Sequence, residues 1–143
     1  MRRENRYCNP NLKCVSIADK LEDRRVLIEK ELRYYVDNEI YCPAISSNVK
    51  ILSKSVDETA NWGCTSKVGT KLCLLITYVI EHAEVMSVGL PPDSNRQRKK
   101  FKFISMATLK CHVPYVGTAK LTVGYRKNGH VIEYCITEYT EKK

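Results

Sequence analysis

Acidic residues are in short supply: 16 Asp and Glu against 24 Lys and Arg leave a formal charge of +8 and a pI near 9.1. That balance excludes an acidic solvating tail and favours polyanionic partners, nucleic acid or an anionic membrane surface, without choosing between them. Glycine (6) and proline (5) are sparse, which excludes collagen-like and low-complexity chains. Long apolar runs are missing too. The most apolar stretch, Leu72 to Ile80, is broken by Thr77 and Tyr78 and closed by Glu81 and His82, far short of the roughly 20 residues of a spanning helix. No apolar segment follows Arg2, Arg3 and Arg6, so a secretory signal is not expected, and the expected location is intracellular, cytoplasmic or nuclear.

Catalytic patterns are equally scarce. Three histidines, His82, His112 and His130, stand outside any H-E-x-x-H arrangement, and no G-x-S-x-G, phosphate-cradling glycine loop or dinucleotide fingerprint is present. A Cys135–His112 pair is conceivable, but seven cysteines and three histidines offer many such pairs. The expectation is a protein without enzymatic activity, cofactor or small-molecule substrate. No family pattern is recognised.

Cysteine is abundant, with seven in 143 residues: Cys8, Cys14, Cys42, Cys64, Cys73, Cys111 and Cys135. The odd number and the absent signal favour free thiols over a disulfide framework. A structural zinc site wants close ligand pairs, and none is spaced for one, although Cys8, Cys14 and Cys42 with a distant histidine keep the option open. The expectation is no metal, with most cysteines acting as small buried apolar side chains.

The apolar positions Ile17, Leu21, Ile28, Leu32 and Tyr35 recur at helical spacing and predict a helix from Ile17 to about Asn38. Ser16 with Asp19 resembles a capping box, and Cys42-Pro43 stops the helix. Arg24 and Arg25 fall at the edge of the apolar seam, exposed to solvent on this reading. Alternation over residues 49–54 predicts an edge-like strand, and residues 57–63 read as a loop whose lone Trp62 plugs the core. A second helix follows along Val68, Leu72, Leu75, Ile76, Val79, Ala83 and Met86, stopped by Gly89 and Pro91-Pro92. The competing reading is a strand over residues 72–80, which is rich in β-branched residues.

Residues 91–100 read as a surface loop. Beyond it Phe101, Phe103, Ser105, Ala107, Leu109, Cys111 and Val113 share one parity, the mark of a long half-buried strand. Asn128-Gly129 then signals a hairpin. A two-residue turn there pairs Tyr125 with Ile132, Val123 with Tyr134 and Leu121 with Ile136 on an apolar face, leaving Thr122 opposite Cys135 and Lys120 opposite Thr137 on the other. The fold expected is α+β: a single domain, residues 1–143, with an antiparallel sheet of three to five strands, a C-terminal hairpin and two helices covering one face.

Charge placement points to function. Arg96, Arg98, Lys99, Lys100 and Lys102, taken with Lys110 and the single acid Asp93, form a local charge near +5, and Arg2, Arg3 and Arg6 could join them as an arm. Such cations neutralise phosphates and release counterions. The same tract also resembles a nuclear-import signal, and its bland reading is a solvated loop. Nine tyrosines against two phenylalanines suit half-wet surfaces, and aromatics among Lys110, Lys120 and Arg126 would resemble a single-strand stacking platform. The expected function is binding of a phosphate-rich polyanion, RNA first, as a viral accessory protein would. The alternative is a self-associating structural protein on an anionic membrane surface, by analogy of size and charge with matrix-type proteins of enveloped viruses. Self-association through an edge strand, with Val131 to Tyr139 as candidate, fits either reading.

Overall fold

A computed structural model describes residues 9–89 and 101–140. The architecture is α+β. Five α-helices, α1 (Leu12–Ser16), α2 (Leu21–Leu32), α3 (Ser53–Gly63), α4 (Lys67–Leu74) and α5 (Ile76–His82), pack on a six-stranded sheet. The strands are β1 (Glu39–Cys42), β2 (Ser47–Lys50), β3 (Glu84–Gly89), β4 (Phe103–Val113), β5 (Gly117–Arg126) and β6 (Val131–Glu138), in the order β1-β2-β6-β5-β4-β3. The sheet is mixed, not antiparallel throughout, because β2 runs parallel to β6 through Val49↔Val131 and Lys50↔Ile132. It also has more strands than the three to five expected. Helices α3, α4 and α5 lie on its inner face, and α1 and α2 pack behind them, so the cover is deeper than two helices.

Of the helix expected from Ile17 to about Asn38, only α2 and a 3₁₀ turn at Arg33–Tyr35 are helical; α1 lies before it, and Cys42-Pro43 is not its stop, because Cys42 ends β1. Ile17 and Leu21 are exposed while Ile28 and Leu32 are buried, so only the C-terminal half of the periodic seam faces the core. Lys20, in extended backbone, precedes α2 without a side-chain cap. Asp19 does not cap; its carboxylate takes Lys67 Nζ at 2.7 Å. Arg24 is no solvent-edge residue either: Nε donates to Cys64 O (2.8 Å) and Nη1 to Ala18 O (2.9 Å), tying the α1–α2 turn to the end of α3.

The predicted strand stops early. Leu52 N–H donates to Ser55 Oγ (3.1 Å), which starts α3 where a loop was expected. Val56, Ala60 and Gly63 form its buried stripe at steps of four and three. Gly63 is packed so closely that a Cβ there would lie 2.3 Å from Cys73 Sγ. Trp62, about 100° around the helix from it, is therefore 57% exposed and plugs nothing. The helical reading of residues 72–80 holds, with a break at Leu75. The helix ends at His82, however, and Met86 stands on β3. The expected stop at Gly89 came six residues late because Ala83 leaves the helical region at ψ 154°.

The hairpin departs from the expected register in an instructive way. Gly129 N–H donates to Arg126 C=O and Arg126 N–H to His130 C=O, both at 2.9 Å, so the loop is three residues, Lys127-Asn128-Gly129, with Gly129 at φ +88°. The extra residue slips the pairing by one: Tyr125 faces Val131 and Val123 faces Glu133. A bulge at Tyr134 then restores Thr122↔Cys135 and Leu121↔Ile136. Glu133 is thereby turned into the core beneath α3, while Ile132 and Tyr134 join the outer face. A matching bulge at Ile104 puts Phe103 on that outer face, against Gly124, where a Cβ would come within 2.4 Å of its ring. Phe101, Phe103, Met106, Ile132 and Tyr134 form a second, smaller core there, with the two phenylalanine rings stacked at 4.9 Å.

Candidate functional site

Of the cations singled out in the sequence, Arg2, Arg3, Arg6, Arg96, Arg98, Lys99 and Lys100 lie outside the described residues. Lys102 is described: it is exposed, at φ 59°, just before β4. Lys110 stands at the other end of β4, eight residues and roughly 26 Å along the strand, so the two do not share a cluster.

The outer face of the sheet has two halves. At the β2 side the aromatic cluster covers it; at the other end β4, β5 and β6 present polar side chains to solvent. Lys110 and Lys120 are direct cross-strand partners on β4 and β5, both exposed. Thr137 continues the row on β6, and Glu84 flanks Lys110 on β3. No ion pair joins either lysine to an acid among the described residues. One step along, His112 pairs with Thr118, with Nδ1 and Oγ1 3.3 Å apart, and Thr118 C=O accepts from Tyr139 N–H at 2.8 Å. The Lys110 ammonium lies 5.4 Å from the centre of the Tyr139 ring. Lys110, His112, Thr118 and Tyr139 line a shallow hollow of about 370 Å³, open to solvent.

The physical reason for this placement is strand parity. Ala107, Leu109, Cys111 and Val113 point to the helices, which obliges Thr108, Lys110 and His112 to point away. The sequence reading contained this alternation and named Lys110 and Lys120 among the platform cations, yet assigned the site to the loop preceding β4. Of the hairpin tyrosines, Tyr139 is the one beside Lys110. Arg126, the third platform cation, is engaged elsewhere: its Nε donates to Phe101 C=O at 2.9 Å. Tyr125 packs partly buried against the main core, as expected, and Tyr134 belongs to the outer aromatic cluster instead.

The thiols offer no comparable surface. Six described cysteines are free, and Cys42, Cys64, Cys73, Cys111 and Cys135 are buried, matching the reading of them as apolar filler. Burial pushes the Cys111 thiol up to about 11 and raises Cys73 well above its ordinary range. Cys135 sits against α3, its Sγ toward Glu58 O at 3.9 Å, whereas His112 faces solvent, so the conceivable Cys–His pair is not assembled. Among the described residues no group of His, Cys, Asp and Glu is placed to hold a metal ion, and no helix is long and apolar enough to cross a membrane.

Among the described residues, the one strongly perturbed carboxyl is internal. Glu133 is fully buried between β6 and α3, and desolvation lifts its pKa to about 8. Thr59 Oγ1 donates to its Oε2 at 2.7 Å, while Oε1 has no hydrogen-bond partner.

No family model, curated protein or solved structure matches this chain.

Proposed function

We propose that this protein binds single-stranded nucleic acid, RNA first, through the outer face of its sheet, with Lys110 and Lys120 on phosphates and the Tyr139 ring beside them for a base. The reading is supported by one observation above the others: two lysines directly opposite each other on neighbouring strands, with no described acid closing an ion pair on either. Like charges so placed repel and weaken a sheet, so an external anion that sits between them removes a standing cost. Glu84 beside Lys110 offsets part of that repulsion, while Lys120 has no ion-pair partner among the described residues. His112 and Thr118 add polar hydrogen-bonding groups on the rim of the same hollow. A sheet face with cations and a half-buried aromatic suits an unpaired strand, since bases stack on rings while phosphates meet ammonium groups. The net charge of +8 adds long-range attraction.

The test is fluorescence anisotropy with labelled single-stranded RNA across a salt series, run beside single-stranded DNA and anionic vesicles. The parent should bind RNA with an affinity that falls steeply with salt. The Lys110→Glu, Lys120→Glu double variant should bind at least about tenfold more weakly, with a log–log salt slope shallower by roughly 1.4, about 0.7 for each lost phosphate contact. Unchanged RNA binding by that variant, with binding lost when Arg96, Arg98, Lys99 and Lys100 become Glu, would move the site to the preceding loop. Retention on vesicles without RNA binding would favour the membrane reading.

A further inference from the structure

The strand proposed for self-association from the sequence, Val131 to Tyr139, is unsuitable: β2 pairs with Val131 and Ile132, and α3 and α4 pack against the rest of β6. Among the described residues, the sheet ends at β1 and β3. On β1 the apolar side chains Ile40 and Cys42 are already buried, and Pro43 follows at once. On β3 every residue is exposed, including Val85 (44%), Met86 (45%) and Val88 (66%). Sheet edges are normally guarded by lysine, proline or an inward charge, and Val85 to Gly89 contains none of these.

The register of β3 on β4 fixes which way its side chains face. Glu84 pairs with Lys110, Ser87 with Thr108 and Gly89 with Met106, all on the outer face; Val85 pairs with Leu109 and Val88 with Ala107, both on the inner face. The shift between Val85 and Ser87 makes Met86 the extra residue of a bulge, so that Met86 and Ser87 together occupy one ladder step. Read along the strand, the steps run outer, inner, bulge, inner, outer. The pattern is the same in both directions.

An edge that reads alike from either end is self-complementary about a two-fold axis. We infer that β3 pairs antiparallel with β3 of a second copy of this chain, with the axis through the Met86-Ser87 step, joining two six-stranded sheets into one of twelve. Val85 then lies opposite the partner's Val88 and Val88 opposite the partner's Val85, both on the inner face, which covers the apolar groups that the helices leave open. Without the bulge Val85 and Val88 would face opposite sides, and this pairing would bury neither. Charge agrees with the antiparallel sense. Glu84, the sole charged residue of β3, lies at one end, so the two copies of it stand roughly 13 Å apart along the seam, beyond the Debye length of about 8 Å at physiological salt. A parallel arrangement would bring them together.

A single short edge is a small interface, so the dimer should be concentration-dependent. Sedimentation velocity of the full chain, from about 1 µM to about 200 µM, should show a monomer passing into a dimer with no larger species, because the two-fold seam is closed. Val88→Lys places a charge opposite the partner's Val85 and should raise the dissociation constant at least about tenfold, while Trp62→Ser, also exposed but on α3, should leave it unchanged. Unaltered circular dichroism of Val88→Lys checks that the change is at the seam and not in the fold. Slower amide exchange in β3 at high concentration is the positive signature. A monomer throughout the range, a dimer indifferent to Val88→Lys, or open-ended association overturns the inference.

Discussion

At the scale of single residues, the most consequential side chain is an acid whose strand position does not mark it as buried. Glu133 is buried without a cation, and its Oε1 has no partner, so it is held as the neutral acid at physiological pH. Its folded pKa of about 8 lies above the ordinary 4.5, so the folded protein keeps a proton that the unfolded chain releases between those values. Stability from this group is therefore greatest below about pH 4.5, declines as pH rises, and stops declining above pH 8. Glu133→Gln, which preserves an acceptor for Thr59 and removes the titration, should melt at a higher temperature than the parent at pH 8 to 9. The advantage is of order a few kcal/mol and should vanish near pH 4.5. Parallel melting curves across that range would show that the carboxyl is not desolvated. The bulge put this glutamate inside, and no count of alternating residues from the turn could have revealed it.

At the scale of elements, periodicity was a good guide wherever one face of an element was buried along its whole length. Ala107, Leu109, Cys111 and Val113 of β4 are the clearest case, and Leu72, Leu75, Ile76 and Val79 show the same for α4 and α5. It failed for α3, whose buried stripe of Val56, Ala60 and Gly63 is made of small side chains that hydrophobicity alone undervalues. It failed again at the hairpin, where a three-residue loop and a bulge cancel over eight residues, leaving the far end in the expected register and the near end shifted. That shift built the outer aromatic cluster, which gives a direct test. Gly124→Ala puts a methyl group 2.4 Å from Phe103 ring atoms and should cost about 1–3 kcal/mol in denaturant unfolding, whereas Gly89→Ala, with nothing within 4 Å, should be near neutral. Equal effects of the two would mean that Phe103 does not lie flat on Gly124.

At the scale of the whole molecule, the charge of +8 acts on the two proposed associations with opposite signs. Nucleic-acid binding releases counterions and weakens with salt; pairing of two equally charged copies is opposed by their repulsion and strengthens as salt screens it. Raising salt from about 0.1 M to 0.5 M should therefore lower RNA affinity and raise the dimer fraction in the same preparation. If both fall together, the dimer is held by ion pairs and not by the valine seam. The expected candidate site was only partly legible for a related reason: the linear run of cations before β4 stands out in one dimension, while Lys110 on β4, Lys120 on β5 and Tyr139 just past β6 meet only when the sheet forms.

The chain's own residues determined its class, its basic balance, the buried role of its cysteines, the long strand β4 and the existence of a C-terminal hairpin, because composition and periodicity act locally. Tertiary structure decided the order and sense of the strands, the inward turn of Glu133, the free edge at β3 and the company that Lys110 keeps. The inward turn of Glu133 depends on a loop length and a bulge that shift the alternation of side chains by one residue, and a shift of one exchanges the two faces of a sheet; the rest depends on which strands become neighbours, which no local pattern encodes.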